Sequence, residues 1–159
     1  MIIRTPDPDG SDGVIAEIYR DDLDEDGFVF SHTRAMACSP DGQYLATLGH
    51  DSRIDVFDLE NKKQKYKHEG HTAAVLAVAA SADGKLIASG ANDMTARIWD
   101  RKTGKQLAEI PTGSFVYSVC FYPDSRLLAI GDNSSKLYVW DIKDRSLETY
   151  DTSGRITAL

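Results

Sequence analysis

The stretch that decides the fold covers residues 70–100 and reads GHTAAVLAVAASADGKLIASGANDMTARIWD. It contains three short apolar runs separated by turn residues rich in Asp, Gly and Asn. The runs are residues 75–80, 86–89 and 95–99, and the turns are residues 81–84 and 90–93. Short apolar runs with such punctuation predict strands joined by tight turns rather than helices.

The same pattern occurs once before this stretch and once after it. Residues 33–58, 75–100 and 116–141 align with one another without internal gaps. The aspartates of the first turn, Asp41, Asp83 and Asp124, are 42 and 41 residues apart, and the closing aspartates, Asp58, Asp100 and Asp141, show the same intervals. A further polar strand is predicted after each closing Asp, at residues 62–68, 105–110 and 146–150. A fixed period of about 40 residues with four strands per unit predicts an all-β repeat architecture.

The middle unit resembles a WD40 repeat. The resemblance rests on Gly70–His71, the Ser-Ala-Asp-Gly turn at residues 81–84, Asp93 and the closing Trp99–Asp100. The third unit ends in Trp140–Asp141 and the first in Phe57–Asp58, so the pattern extends over about residues 28–159. The resemblance implies an all-β WD40 β-propeller. Each unit is then one four-stranded antiparallel blade, with its first strand at the central channel and its fourth at the rim.

The resemblance also implies a division of the chain into blades. The divisions are a lead-in at residues 1–27 with a candidate ring-closing strand at 13–19, three blades at 28–70, 71–113 and 114–152, and the truncated start of a fourth blade at 153–159. Closed propellers have about 4 to 8 blades, so three blades form an incomplete ring. We therefore expect a fragment of a longer propeller, or a chain that closes its ring by association with other chains. Open blade edges at both ends predict self-association.

Composition narrows the classes of partner and compartment. The net charge of −7 argues against a dedicated nucleic-acid binder. No run approaches the ~20 apolar residues that span a bilayer, and the first residues lack the regions of a signal peptide. Cys38 and Cys120 are too few for a disulfide scaffold and match no metal motif, so we expect two reduced core thiols and a cytoplasmic protein. The sequence shows no phosphate loop or other cofactor motif, and no cofactor is predicted.

His71, Ser89 and Asp93 are the residue types of a nucleophilic triad. The resemblance implies another role, because WD40 blades use these positions together with Trp99 for a buried hydrogen-bond chain. The intervals of 18, 4 and 6 residues between the four fit that pattern. We therefore expect a structural tetrad of His71, Ser89, Asp93 and Trp99 and no catalytic residue. The other units carry only part of it. The first has Thr47 and Asp51, but Phe57 replaces the Trp and no His is in register. The third has Trp140, but Ile130 and Ser134 stand at the Ser and Asp positions. The middle blade is therefore predicted to be the most rigid.

Two charged segments have competing interpretations. Residues 22–27, DLDEDG, match the first half of a calcium loop, but the twelfth position is Thr33 rather than Glu. A solvated acidic turn is therefore favoured, and no metal is predicted. Residues 62–67, KKQKYK, could bind an anion or nucleic acid. Because they fall on a predicted rim strand, lysines that prevent edge-to-edge strand pairing are the favoured interpretation.

The resemblance further implies a partner-binding face. WD40 proteins often bind peptides where the first strand of a blade begins and just before the turn that leads to its third strand. Carried over position by position, the candidate residues are Arg34, His50, Leu76, Asn92, Phe115, Tyr117, Asn133 and Arg155. Aromatic and Arg side chains commonly anchor interfaces, so Phe115 and Tyr117 beside the two arginines would suit a peptide with apolar and acidic groups. The alternative is that these are ordinary half-exposed blade residues.

The favoured function is a non-catalytic protein–protein interaction scaffold that presents this face to a protein or peptide partner. The alternative is a sensor or regulatory WD40 module of a larger signalling protein, whose effector domain lies outside this chain. An enzyme that works at the channel is a weaker third hypothesis, because the sequence shows no converging metal or cofactor ligands.

Overall fold

The computed structural model of the chain describes residues 2–6, 12–17, 35–48, 52–154 and 156. All regular elements in these residues are β-strands. In chain order they are β1 (Ile2–Pro6), β2 (Asp12–Glu17), β3 (Met36–Cys38), β4 (Tyr44–Leu48), β5 (Ile54–Asp58), β6 (Lys63–His68), β7 (Val75–Ala80), β8 (Leu86–Ala91), β9 (Thr95–Asp100), β10 (Gln106–Pro111), β11 (Val116–Phe121), β12 (Leu127–Asp132), β13 (Lys136–Asp141) and β14 (Ser146–Asp151). These ranges hold no helix with the length and apolar character that a membrane crossing requires.

Strands β3 to β14 form three four-stranded antiparallel sheets, each a simple meander in chain order. The sheets are β3–β6, β7–β10 and β11–β14, and they are called blades 1, 2 and 3. The predicted all-β architecture of three four-stranded antiparallel blades is confirmed. Blade 2 packs between blades 1 and 3, so the described blades stand in a row and do not close into a ring.

The lead-in forms a separate two-stranded antiparallel sheet of β1 and β2. Strand β2 covers most of the segment predicted as a ring-closing strand, whereas its pairing with β1 has no counterpart in the sequence pattern. The ring-closing role of β2 stays a prediction. The acidic segment at residues 22–27 and Thr33 lie outside the described residues.

Side-chain chemistry explains the tight turn between the first two strands of a blade. In blade 2 the Ser81 hydroxyl donates to Asp83 Oδ1 over 2.7 Å, and the same oxygen accepts the Lys85 N–H over 3.0 Å. Gly84 lies between them with φ of +67°, a left-handed conformation that glycine adopts without steric cost. Blade 1 repeats the arrangement. The Ser-x-Asp-Gly motif is therefore a self-contained turn, in which one carboxylate binds the groups on either side of it.

The closing aspartate of each repeat organises the turn into the fourth strand. Asp100 Oδ1 accepts the Thr103 N–H over 2.8 Å and the Thr103 hydroxyl over 2.7 Å. Asp58 and Asp141 accept the equivalent backbone N–H three residues further on. The period of the aspartates in the sequence is therefore the period of these turns.

The hydrophobic core lies in two seams between neighbouring blades. The seam between blades 1 and 2 includes Ile54, Val56, Val75, Ile87 and Trp99, and the seam between blades 2 and 3 includes Ile98, Ile110, Val116, Leu128 and Ile130. All of these side chains are buried. Each blade thus depends on its neighbour to remove its apolar faces from water.

Glycines allow the closest approach between blades. A Cβ at Gly90 would lie 2.3 Å from Val116 Cγ1, and a Cβ at Gly131 would lie 2.5 Å from Ile156 Cγ2. Real Cβ atoms do not approach other atoms so closely, so a residue larger than glycine would force the neighbours apart. Ile156 therefore lies against blade 3 as Val116 lies against blade 2.

Neither cysteine belongs to the buried core. Cys38 is exposed, Cys120 is half-buried, and both thiols are free. Strand β3 has only three residues, and its two end positions, Met36 and Cys38, are uncovered. The prediction that both cysteines lie in the core is therefore wrong, and the cytoplasmic location stays a prediction.

Candidate protein-interaction face

Four side chains of blade 2 form one continuous hydrogen-bond chain. His71 Nδ1 lies 2.7 Å from Asp93 Oδ2, and His71 Nε2 lies 2.7 Å from Ser89 Oγ. Trp99 Nε1–H donates to Ser89 Oγ over 2.8 Å. The chain is complete when a neutral His71 carries its proton on Nδ1, because the Ser89 hydroxyl then donates to Nε2 and accepts the indole N–H.

The electrostatics of Asp93 and His71 agree with that proton arrangement. Burial raises the pKa of Asp93, but hydrogen bonds from Thr95, His71 and the Thr72 N–H outweigh it and hold the pKa below its usual value. Burial lowers the pKa of His71, although the neighbouring Asp93 opposes this shift. An ionised Asp93 beside a neutral His71 is therefore the state at neutral pH.

The Ser89 hydroxyl is in no position to attack a substrate. The exposed fraction of Ser89 is 0%, and its oxygen accepts the Trp99 indole N–H. The Trp99 ring in turn packs against His71 and His68, with ring centroids 6.0 and 5.8 Å away. The three triad-like residues are thus enclosed by other side chains, and a nucleophile needs an open approach to the reacting atom.

The predicted partner residues of blades 2 and 3 lie where the first strand begins. The Asn92 N–H donates to the Ala74 carbonyl over 2.9 Å, and the Asn133 N–H donates to the Phe115 carbonyl over 3.0 Å. In each blade one backbone hydrogen bond therefore ties the turn before the third strand to the entry of the first. Phe115 remains 37% exposed although its backbone is fixed in this way.

Leu76 and Tyr117 occupy equivalent irregularities of the first strand. The register of β7 on β8 shifts between Val75 and Ala77, and the register of β11 on β12 shifts between Val116 and Ser118. Leu76 and Tyr117 are the residues at these bulges, and both are half-buried. Bulges redirect side chains and are frequent beside functional sites. We call Leu76, Asn92, Phe115, Tyr117 and Asn133 the partner face.

Comparison with known proteins identifies the family. The family model described as "WD domain, G-beta repeat" matches residues 27–58, 62–100 and 104–141. The chain belongs to the WD40 family. These matches cover strands β3 to β13 and agree with the sequence resemblance.

A curated protein and two solved structures illustrate the similarity of this chain to known proteins. Small ribosomal subunit protein RACK1y of Oryza sativa subsp. japonica is 34% identical over 119 residues, which is 72% of this chain and 35% of the relative. The chain thus spans about a third of the length of this curated relative. The structures titled "Structure of U3-55K" and "Crystal structure of RRP9 WD40 repeats" each superpose with a TM-score of 0.74 at 21% and 22% identity, covering 79% of this chain and 41% of theirs. These two likenesses show the fold alone.

Blade 3 contains a second buried network, which the WD40 pattern does not predict. Asp132 is fully buried and accepts the Tyr138 hydroxyl over 3.1 Å and the Ser134 N–H over 2.9 Å. Tyr138 Oη accepts the Gly113 N–H over 3.0 Å. Burial raises the pKa of Tyr138, and its bond to Asp132 acts in the same direction. The signal available in the sequence was an aspartate that ends an apolar strand, six residues before a tyrosine.

The remaining predicted residues lie in blade 1, in its rim strand β6 or outside the described residues. Thr47 is buried, while Asp51 lies outside the described residues, as do the face candidates Arg34, His50 and Arg155. Lys65 in β6 forms an ion pair of 2.8 Å with Asp58, and the other lysines of this rim strand are exposed. Edge protection by these lysines stays a prediction. Among the described residues, no group of His, Cys, Asp or Glu side chains is arranged to hold a metal ion.

Proposed function

We propose that this WD40 segment is a non-catalytic protein–protein interaction scaffold, and that a protein or peptide binds the partner face. The observation that carries the proposal is Phe115, an aromatic residue that is 37% exposed and whose carbonyl accepts the Asn133 N–H. An exposed aromatic side chain on fixed backbone loses little conformational entropy when a partner covers it.

The buried networks behind the face support this proposal. The tetrad of blade 2 fixes the loop that enters β7, because the Thr72 N–H donates to Asp93. The Tyr138 hydroxyl fixes the loop that enters β11, because it accepts the Gly113 N–H. We propose that both networks are structural supports that hold the face rigid, which is the arrangement that a binding surface requires.

A protein partner is favoured over nucleic acid by charge. The chain carries a net charge of −7. Nucleic-acid binding depends on lysine and arginine contacts to phosphate. The relative named as a small ribosomal subunit protein supports a role within a larger assembly, and a cytoplasmic location is part of the same proposal.

The test is capture of partners by the immobilised chain, with Phe115→Ala and Tyr117→Ala compared with the parent chain. Leu107→Ala is the matched control, because Leu107 is 40% exposed on the rim strand β10, outside the partner face. We expect both face variants to lose the captured proteins, the control to retain them, and Phe115→Ala to melt at the parent temperature. Equal capture by the parent and by both face variants would refute the proposal.

A further inference from the structure

Arg101 is a buried cation whose hydrogen-bond donors lack acceptors. The residue directly follows the closing aspartate of blade 2 and is only 8% exposed. Its Nε and Nη1 atoms are buried, and neither has a hydrogen-bond partner among the described residues. Arg97 of the same blade is equally buried, but its guanidinium donates to Gln106 over 2.8 Å and lies 3.1 Å from Glu109. Blade 2 therefore pairs one buried arginine and leaves these two donors of the other unpaired, which costs free energy.

The fold does not require an arginine at this position. The equivalent residues are Leu59 in blade 1 and Ile142 in blade 3. In each blade this residue donates its N–H to the carbonyl of the residue just before the second strand, over 2.9, 3.0 and 3.0 Å in chain order. The backbone arrangement is thus the same in all three blades, and two of them complete it with an aliphatic side chain.

Arg101 lies over a tyrosine that also replaces an aliphatic residue. Its guanidinium carbon is 3.7 Å from the centroid of the Tyr44 ring in blade 1. Tyr44 is the first residue of β4, whereas Leu86 and Leu127 begin β8 and β12. In the seam between blades 2 and 3 the equivalent pair is Leu86 and Ile142, and both pack against its apolar cluster. The contact with Tyr44 holds the face of the guanidinium and leaves the N–H groups at its edges to bind an acceptor.

The strand order places Arg101 at the end of blade 2 that is opposite to the partner face. Asp100, which precedes Arg101, pairs with Leu86. At the other end of the same sheet Val75 pairs with Ala91, next to the strand entries that carry the partner face. A ligand of Arg101 would therefore occupy a second site, separate from the one in the proposed function.

The acidic group that Arg101 influences is held by its own turn. The Asp41 carboxylate accepts the Ser39 hydroxyl and the Gln43 N–H. These hydrogen bonds hold the pKa of Asp41 below its usual value, and the charge of Arg101 acts in the same direction. Asp41 is therefore an anion close to the site, and it disfavours a ligand with more than one negative charge.

We propose that Arg101 and Tyr44 form a carboxylate-binding site between blades 1 and 2, which receives an aspartate or glutamate side chain or a C-terminal carboxylate of a partner protein. The guanidinium presents its N–H groups in a fixed planar fork that matches the two oxygens of a carboxylate. Such a ligand supplies the acceptors that the two buried nitrogens lack. A carboxylate is favoured over a phosphate dianion because Asp41 is near and the chain has a net charge of −7.

The experiment is an NMR titration of the whole isotope-labelled chain, in which the Arg101 Nε–H signal is followed at constant ionic strength. The probes are the tripeptide Gly-Glu-Gly with both ends blocked, the tripeptide Gly-Gly-Gly with a free C-terminal carboxylate, and inorganic phosphate. Blocked Gly-Gln-Gly is the neutral control. We expect the signal to shift and saturate at millimolar concentrations of at least one carboxylate probe, which also identifies the source of the carboxylate, and not with the control.

Substitutions separate a binding site from a structural cation. Arg101→Leu copies Leu59, so we expect it to melt at or above the parent temperature and to lose the response of the Tyr44 ring signals to the probe. Arg101→Lys should weaken binding at least about tenfold, because lysine has no planar fork. Lys102→Leu removes the adjacent exposed cation and should bind as the parent does.

Three results would overturn the carboxylate site, and the titration of the parent chain does not depend on the folding of any variant. They are an Nε–H signal that neither carboxylate probe shifts, phosphate binding more tightly than both carboxylates, and an unchanged response in Arg101→Leu. None of these results bears on Phe115 or on partner capture, so the proposed function stands or fails separately.

Discussion

Removal of the Ser89 hydroxyl gives the clearest test of the tetrad. The hydroxyl joins two buried groups, because it lies 2.7 Å from His71 Nε2 and accepts the Trp99 N–H over 2.8 Å. Ser89→Ala deletes a single oxygen and therefore creates little cavity. It leaves the imidazole nitrogen and the indole N–H without their partner, in a place where the residue has an exposed fraction of 0%.

The expected loss of stability follows from these two groups. A buried polar group that loses its partner costs about 1–3 kcal/mol, so two of them cost about 2–6 kcal/mol. For a domain of this length each kcal/mol lowers the melting temperature by about 2–4 °C. We therefore expect Ser89→Ala to melt about 4–24 °C below the parent chain. Ser89→Thr keeps the hydroxyl, as Thr47 does in blade 1, and should lose less.

Thermal unfolding followed by circular dichroism measures both changes, with the exposed Ser153→Ala as the surface control. A double-mutant cycle sharpens the result: Ser89→Ala should cost less in a His71→Ala background, because one of the two orphaned groups is then absent. If Ser89→Ala melts within about 2 °C of the parent, or if its effect is the same in both backgrounds, the tetrad does not stabilise blade 2 as argued.

Three further predictions concern the seams and the second network. Burial lowers the pKa of His68, so the imidazole takes up a proton in the unfolded chain, but not in the folded chain, as pH falls through about 6.5. The free energy of unfolding should therefore decrease below that pH. His68→Phe should reduce this decrease, as measured by melting curves between about pH 8 and 5. Tyr138→Phe should lower the free energy of unfolding in urea by about 1–3 kcal/mol, because the Gly113 N–H loses its acceptor; no change would contradict the network. Gly90→Ala should destabilise the chain by about 1–3 kcal/mol, and Val116→Ala should restore part of the loss in the same assay; an additive double variant would contradict the close approach.

The blade strands could be predicted from sequence because their turns are local. The fourth strand of the middle unit was predicted at residues 105–110, and β10 spans Gln106–Pro111. The third apolar run at residues 95–99 differs from β9 (Thr95–Asp100) by one residue. One carboxylate and one small residue define each turn, so a few consecutive residues carry the whole signal. The exposure of Cys38 could not be predicted from local sequence, because it depends on which side chains of the short strand β3 are covered by neighbouring strands.

The candidate site was predictable only in part. The WD40 pattern indicated which residues to compare with one another, and the structure brings the blade 2 and blade 3 members to equivalent strand entries. It did not indicate that Leu76 and Tyr117 lie at bulges, because a register shift depends on how two strands pair. The network of Asp132 and Tyr138 was also missed, since it joins positions that the tetrad does not use.

The tetrad of blade 2 and the Asp132–Tyr138 network of blade 3 bind equivalent loops through different residues. In blades 2 and 3 a backbone N–H ties the loop before the first strand to the buried network: that of Thr72 binds Asp93, and that of Gly113 binds the Tyr138 hydroxyl. The strand entries that follow have the same hydrogen bond, of 2.9 Å in blade 2 and 3.0 Å in blade 3. An incomplete tetrad in blade 3 therefore does not imply a loose face there. The greater rigidity of blade 2 stays a prediction, while the backbone of Phe115 in blade 3 is held by the same type of hydrogen bond as that of Ala74 in blade 2.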